Sequence, residues 1–212
     1  MKILVVGASQ GTGALAVKEA LARGHRVTAF ARSPQKLGFE HAQLTLLKGN
    51  FHDAKSVDQA VSGHDAVLLT ASSTKLSEFK HKPDYFSSGT RFAIDAMNAH
   101  GVKRLIVLSA FGAGDSYEVS GFFLKKILIP LFLPIPYADH ERQEKMVKES
   151  SLDWVIAQPT RLTDGPARRS YQKEIQPKKV PSRISRADVA DFMVEACTSD
   201  AWLRKTVGLG GE

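Results

Sequence analysis

Several features that mark large protein classes are missing from this chain. It has one cysteine, Cys197, among 212 residues, so no internal disulfide can form, and we expect a reducing, cytoplasmic location. The most apolar stretch, residues 122–137, is interrupted by Lys125, Lys126 and three prolines, which leaves it too short and too broken to span a bilayer. The first apolar run ends at Ser9, so we expect no signal peptide.

Acidic residues are in the minority, because 29 Lys and Arg against 22 Asp and Glu give a net charge of +7. No DNA-reading motif or interleaved aromatic residues accompany the excess. We therefore expect a solvated basic loop, or attraction for a phosphorylated cofactor, and no nucleic-acid partner. No metal site is predicted. Part of the excess lies late in the chain, at Arg168, Arg169, Lys173, Lys178, Lys179 and Arg183.

The first thirteen residues contain the most informative motif, a short apolar strand followed by a glycine turn. A helical pattern of apolar residues follows directly, and this layout presents free backbone N–H groups to a phosphate. The spacing is G-x-x-x-G-x-G, and a tight turn without a ligand is the alternative. The candidate cofactor-binding residues of the turn are Gly7, Ser9, Gln10, Gly11, Thr12 and Gly13.

Apolar runs and helical patterns alternate along the chain, which predicts one α/β domain over residues 1–212. Right-handed crossovers favour a Rossmann-like, doubly wound parallel sheet of order 3-2-1-4-5-6, with a seventh strand possible and helices on both faces. The cofactor would cross the carboxyl ends of strands 1 and 4. The predicted strands are 3–6, 27–30, 44–48, 66–69, 104–108 and 154–157, and the predicted helices are 13–23, 54–61, 86–100, 139–150 and 186–198.

Two regions, residues 111–136 and 163–185, interrupt the alternation. Both follow strands at the carboxyl edge of the predicted sheet, where substrate loops belong, so we expect them to form the walls or lid of a substrate pocket. For the first region, which includes the apolar residues 119–136, a packing helix or a dimer contact is the alternative. The chain is expected to be a monomer or a homodimer.

Two basic residues, Arg32 and Lys36, follow the second predicted strand. An NAD-preferring site commonly has an acidic residue at this strand end, hydrogen-bonded to the ribose hydroxyls. A guanidinium and an ammonium suit the 2′-phosphate of NADP instead. We therefore predict NADP(H) as the cofactor, with a surface arginine as the alternative.

A small polar residue and an aromatic ring follow the third predicted strand. Asn50 and Phe51 are expected to flank the adenine of the cofactor. We interpret Asp53 as the N-cap of the next helix. His52 is expected to be a surface histidine.

Small side chains also follow the fourth and fifth strands. Ala71, Ser72 and Ser73 would let the backbone pass close to the pyrophosphate or the nicotinamide ribose. Ser109 and Ala110 come after the fifth strand, where the hydroxyl could bind the nicotinamide carboxamide or a substrate carbonyl. The alternative is a serine that satisfies its own backbone. No G-x-S-x-G pattern surrounds Ser109, which argues against a hydrolase.

His140 and Glu144 are four residues apart and share one face of the predicted helix 139–150. If that face lies against the cofactor, His140 could contact the nicotinamide ribose or donate a proton as a catalytic residue. The alternative is an exposed pair on a charged helix.

The glycine spacing and the serine after strand 5 resemble the short-chain dehydrogenase/reductase superfamily. That resemblance implies a Tyr-x-x-x-Lys pair, which supplies a phenolic proton. No tyrosine here has lysine four residues later, which argues against an ordinary alcohol dehydrogenase. The residues at that spacing are Gly89 after Tyr85, Gly121 after Tyr117, Glu141 after Tyr137 and Ile175 after Tyr171.

The later motifs resemble the atypical, NmrA-like branch of that superfamily. They comprise Glu144 with residues 150–154 (SSLDW), residues 158–166 (QPTRLTDGP) and residues 184–190 (ISRADVA). Within the branch, the chain is similar to the biliverdin-IXβ reductase/flavin reductase family along nearly its whole length. Within the second motif we expect Pro159, Thr160 and Arg161 to contact the cofactor.

The resemblance implies specific roles for several residues. Arg32 and Lys36 match the family's basic phosphate ligands, Ser109 its active-site serine, and Asp139 with His140 its Asp-His pair. The chain departs from the family in its first turn, where the family has G-x-x-G-x-x-G, and in a longer, more apolar loop at residues 111–136. The first departure should leave cofactor binding intact, whereas the second puts the substrate in question.

These observations predict an oxidoreductase that passes hydride from NADPH to a planar, conjugated acceptor such as a flavin, quinone or tetrapyrrole. Such acceptors need no strong protein acid, which fits the missing Tyr-Lys pair. Ser109 and His140 are the candidate catalytic residues. The alternative is an NADP-binding redox sensor without turnover that signals to a protein partner. A sugar epimerase or dehydratase fits less well, since those enzymes keep the Tyr-Lys pair.

Overall fold

Strands and helices alternate along the chain, as described for residues 1–71, 76–175 and 178–211 of a computed structural model. Three short 3-10 turns and one π-helical turn, Leu124–Leu128, connect them. Within those ranges the strands are β1 (Lys2–Val6), β2 (Arg26–Ala31), β3 (Leu44–Lys48), β4 (Ala66–Leu69), β5 (Arg104–Leu108), β6 (Asp153–Pro159), β7 (Arg161–Thr163), β8 (Gln172–Glu174), β9 (Arg183–Ser185) and β10 (Lys205–Gly210). The helices are α1 (Gly11–Ala22), α2 (Ala54–Val61), α3 (Leu76–His81), α4 (Tyr85–His100), α5 (Ile129–Phe132), α6 (Pro134–Glu149) and α7 (Arg186–Thr198).

The main sheet has the strand order β3-β2-β1-β4-β5-β6-β10-β8. Its first seven strands run parallel and β8 is antiparallel to β10, while β7 and β9 form a small parallel pair of their own. The predicted doubly wound order 3-2-1-4-5-6 is confirmed, and β10 is the seventh strand. The eighth strand was missed because β8 has only three residues, all polar.

Helices cover the sheet on both faces, which explains why its central strands are apolar throughout. Helices α1 and α7 pack against each other on one face, and α2, α4 and α6 pack on the other. Ile3, Leu4 and Val5 of β1 are fully buried as a result. Burying strands from both sides places the free backbone groups and the polar side chains at the strand ends.

The predicted helix 139–150 begins earlier than its sequence suggested. In the structure α6 starts at Pro134, which lies in its first turn, where a proline costs no helical hydrogen bond. The sequence pattern had predicted that Pro134 and Pro136 interrupt the apolar stretch, whereas both lie within the first turn of α6. The earlier start brings Tyr137 onto the helix that carries His140. No helix in the described ranges combines the length and the apolar character needed to cross a membrane.

Candidate cofactor and acceptor site

Three neighbouring cavities open along the carboxyl edge of the sheet. The cationic cavity, about 410 Å³, lies at the ends of β1, β2 and β3 and includes Arg32 and Lys36 in its wall. The central cavity, about 740 Å³, shares Gln10 and Ala71 with it. The apolar cavity, about 880 Å³, meets the central one at Ser109, Ala110, Leu133, Tyr137 and Leu162.

The turn between β1 and α1 forms the start of this groove. Gly7 has φ +84°, and a Cβ there would lie 2.6 Å from the backbone of Ala71. A Cβ on Gly13 would lie 2.5 Å from Thr70 Oγ1 and closer still to Gly7 O, so only glycine lets α1 approach β1 and β4 this closely. The N-cap Gln10 makes no capping hydrogen bond, so the first N–H groups of α1 remain available to an anion.

Two basic side chains, one arginine and one lysine, border the cationic cavity without counter-ions. Arg32 and Lys36 are exposed and have no ion-pair partner within residues 1–71, 76–175 and 178–211. Ser33, which the sequence reasoning missed, lies between them and lines the same cavity. It caps the 3-10 turn Pro34–Leu37 without using its hydroxyl for the cap. The cavity therefore offers two cations and a hydroxyl, a set of donors suited to a phosphate.

The segment after β3 gives a mixed outcome. Asp53 caps α2 as expected, since its carboxylate accepts a hydrogen bond from Lys55 N at 3.1 Å. Phe51 borders the cationic cavity, but it is only 8% exposed and packs under Gly89. His52, expected at the surface, is half-buried: among the described residues its two ring nitrogens have no hydrogen-bond partner, and burial lowers the pKa of this side chain to about 4.

The end of β4 forms the floor of the central cavity. Thr70 Oγ1 donates a hydrogen bond to Val6 O at 2.7 Å, which ties β4 to β1 at the point where the winding of the sheet reverses. Ala71 borders both the cationic and the central cavity. Ser72 and Ser73, which were predicted to contact the cofactor, lie outside the described residues.

Ser109 belongs to a buried polar cluster. Its hydroxyl donates to Glu144 Oε1 at 2.5 Å, and Gln158 Nε2 donates to the same oxygen at 2.7 Å. Ser109 therefore does not simply satisfy its own backbone. Glu144 is 2% exposed, and burial raises the pKa of its carboxyl. Its Oε2 lies 3.8 Å from Lys148 Nζ and has no hydrogen-bond partner among the described residues. With its hydrogen held by Glu144, Ser109 presents oxygen lone pairs to the cavity.

His140 is buried against the central cavity, so the alternative of an exposed pair with Glu144 is wrong. Its ring stacks on Phe86 with centroids 3.9 Å apart, and Nδ1 lies 3.1 Å from Gln143 Oε1. Gln143 Nε2 donates to Thr90 Oγ1, which orients the amide so that Oε1 accepts the Nδ1 hydrogen. Burial lowers the pKa of His140 to about 4, so the neutral ring exposes Nε2 as an acceptor.

Asp139, the other member of the Asp-His pair, binds the start of α4. Its carboxylate accepts hydrogen bonds from Phe86 N at 2.6 Å and from Ser87 Oγ at 2.5 Å. These bonds fix the start of α4 against α6 and thereby hold Phe86 against His140. Asp139 acts as a positioning residue in this arrangement.

The apolar cavity is formed largely by the two irregular regions. Residues 111–136 contribute Phe123, Leu124 and Leu128 to its wall, and residues 163–185 contribute Lys179 and Val180. The structure also places three predicted cofactor residues, Pro159, Thr160 and Arg161, here rather than in the cationic or central cavity. Pro159 ends β6 and Arg161 begins β7, and β6 lies beyond β5 in the sheet, on the side away from β1.

Tyr137 lies between the central and apolar cavities, and the sequence motifs did not single it out. Its hydroxyl donates to Phe111 O at 3.1 Å, and burial raises the pKa of the phenol to about 12. Without a lysine four residues later, nothing on the same helix face makes this phenol more acidic. In the sequence, the only feature that pointed to Tyr137 was its position just before His140.

The fold and the groove together define a dinucleotide-binding protein of the Rossmann type. A family model described as NAD(P)H-binding matches residues 7–200, and the chain belongs to this family. Its fold is shared with solved structures of NAD(P)-binding short-chain dehydrogenases/reductases.

The chain is also similar to an uncharacterized relative and to solved structures. Protein y4nG of Sinorhizobium fredii is 35% identical over 124 residues, which cover 55% of this chain and 30% of that protein. ChuY, an anaerobillin reductase from Escherichia coli O157:H7, superposes with a TM-score of 0.81 at 24% identity, covering 99% of this chain and 97% of the other. A short-chain dehydrogenase/reductase from Veillonella parvula in complex with NADP gives 0.82 at 18% identity, covering 99% and 94%. At these identities the two structures show the shared fold.

Proposed function

We propose that the protein is an NADPH-dependent reductase that passes hydride to a planar, conjugated acceptor bound in the apolar cavity. The observation that carries this proposal is the junction of the apolar and central cavities at Ser109 and Tyr137. A volume of about 880 Å³ falls in the range of pockets that hold drug-sized ligands. The flavins, quinones and tetrapyrroles are the acceptor classes of this size and shape, and ChuY is described as a reductase of one tetrapyrrole-derived compound.

The cofactor side of the groove fits NADPH in this proposal. Arg32, Ser33 and Lys36 would bind the 2′-phosphate, and the N-terminus of α1 would bind the pyrophosphate. His140 Nε2 would accept a hydrogen bond from a ribose hydroxyl. Ser109, held by Glu144, would accept one from the nicotinamide carboxamide. NADPH, when bound, supplies the hydride.

The side chains at the junction are poor proton donors. His140 is neutral, because its pKa is about 4, and its Nδ1 hydrogen is held by Gln143. The Ser109 hydrogen is held by Glu144, and the pKa of Tyr137 is raised to about 12. An isolated ketone needs a proton on its oxygen as hydride arrives, whereas a conjugated acceptor spreads the charge and can take its proton from water. The junction therefore favours conjugated acceptors.

Oxidation of NADPH by purified protein in the presence of FMN, menadione or biliverdin tests this proposal. With at least one acceptor, we expect the protein to raise the rate of NADPH oxidation at least about tenfold over the protein-free mixture. A simple ketone such as acetone should give no acceleration. A protein that binds NADPH but accelerates none of these reactions would contradict the proposal.

The same lack of a proton donor also favours a second candidate, an NADP-binding redox sensor without turnover. A sensor must bind oxidised and reduced cofactor with different affinities. Calorimetric titration with NADP⁺ and NADPH, together with the turnover assay, separates the two candidates. Unequal affinities without turnover would favour the sensor.

A further inference from the structure

The outer face of residues 119–136 carries an unusual apolar patch. Four large side chains, Phe122, Phe123, Leu131 and Phe132, are 76%, 63%, 69% and 59% exposed. Large exposed apolar side chains concentrated in one short segment mark an interaction site more often than a solvated one. We refer to these four residues as the outer patch.

The outer patch continues into the apolar cavity. Leu124, Leu128 and Leu133 belong to the same segment and line the cavity, and Phe123 belongs to both surfaces. One segment therefore has apolar side chains on its inner and its outer side, around the mouth of the cavity.

The surroundings of the outer patch are cationic. Residues 119–136 contain two lysines and no acidic residue, and residues 175–187 likewise contain no acidic residue. Lys126 is exposed, and within the described ranges neither it nor the rim residues Arg161 and Lys179 has an ion-pair partner. Lys125 is paired with Glu118, the acidic residue that precedes the segment.

We propose that the outer patch docks on the surface of an anionic lipid bilayer. Its phenylalanine and leucine side chains would enter the boundary between headgroups and acyl chains, while Lys126, Arg161 and Lys179 face lipid phosphates. A second copy of the chain fits less well, because a two-fold contact through this face would bring like charges together. Docking depends on this surface alone and does not rest on the reductase activity.

Co-sedimentation with vesicles tests the docking. Wild-type protein should bind vesicles of equal phosphatidylglycerol and phosphatidylcholine at least about tenfold more tightly than vesicles of phosphatidylcholine alone, and added salt should weaken the binding. The triple variant Phe122→Ser, Leu131→Ser, Phe132→Ser removes outer-patch residues that do not line the cavity. It should lose at least about tenfold in affinity, and Lys126→Glu about threefold.

Leu46→Ser is the matched control, because Leu46 is 43% exposed and lies on the edge strand β3, far along the sheet from residues 119–136. It should bind the mixed vesicles like wild type, and NADPH affinity should be unchanged in all three variants. Wild-type protein that ignores anionic vesicles, or a triple variant that binds them normally, would overturn the proposal. So would a wild-type dimer that the triple variant dissociates in the absence of vesicle binding, since that result assigns the patch to self-association.

Discussion

The cationic and the apolar cavity occupy opposite ends of one groove and are constructed in different ways. Gly7 and Arg32 line the cationic cavity and each directly follows a strand, so the sheet itself sets the geometry of the cationic end. The apolar end depends on two long insertions after β5 and β6. The difference suggests that the cofactor end is constrained by the fold, whereas the acceptor end can change with its loops. The following predictions test that contrast.

The largest effect is expected from Gly13→Val at the constrained end. The new side chain would collide with Gly7 O and Thr70 Oγ1, and overpacking of this kind costs about 3 kcal/mol of unfolding free energy. NADPH affinity should fall as well, because α1 would be pushed away from β1. Urea unfolding and calorimetric titration measure the two effects.

Gly121→Val at the insertion is the matched control. Among the described residues, no atom apart from its two chain neighbours lies within 4 Å of the position of its Cβ, so we expect less than about 0.5 kcal/mol of change. Equal losses of unfolding free energy in Gly13→Val and Gly121→Val would show that the cationic and apolar ends are equally constrained.

The next effect concerns His140, where the two ends meet. Its pKa is about 4 in the folded protein and 6.5 in the reference state, so only the unfolded chain gains a proton on this ring as pH falls from 6.5 to 4. The free energy of unfolding should thus fall by about 3 kcal/mol as the pH is lowered from 6.5 to 4.

Urea unfolding of wild type and His140→Gln across this pH range isolates the contribution of His140. The variant should lose stability less steeply, while the half-buried His52 affects both proteins equally. Parallel pH profiles would show that His140 is not held neutral.

Arg32→Ala should weaken NADPH binding by about 1–3 kcal/mol, the scale of a lost charge-assisted hydrogen bond, and leave NADH binding nearly unchanged. Lys103→Ala removes the same charge at the amino end of β5, on the opposite edge of the sheet, and should affect neither cofactor. Titration of both cofactors into each variant makes the comparison. A similar loss for NADH would argue against contact with the 2′-phosphate.

The smallest effect is expected from Tyr137→Phe at the apolar end. Since the phenol donates to Phe111 O and its pKa is about 12, removing the hydroxyl should change kcat by less than about twofold. Steady-state turnover with the best acceptor measures this. A drop in kcat of tenfold or more would identify Tyr137 as the proton donor. The protein would then act like the dehydrogenases that use a side-chain acid.

The residues of the cationic end could be proposed from the sequence because their signals are local. The strand, the glycine turn and Arg32 are each recognisable within a few neighbouring residues. The order of the central strands followed from the same alternation and from the handedness of crossovers.

The junction and the apolar end could not be predicted in the same way. The spacing of His140 and Glu144 showed that they share a helix face, but not that the face is buried. The bond from Ser109 to Glu144 joins residues 35 apart in the chain, and only the packing of α6 against β5 and β6 brings them together. Likewise, the polar three-residue strand β8 depends on pairing with β10 rather than on its own propensity.

The central claim is that hydride leaves NADPH within this groove for a conjugated acceptor. Single-turnover mixing of the protein with NADPH deuterated on one or the other face of nicotinamide C4, with FMN, menadione and biliverdin in turn, tests it most directly. We expect that one labelled cofactor loses deuterium and reacts more slowly, while the other keeps its label. Bound NADPH that is not oxidised, or loss of label from both faces alike, would contradict it.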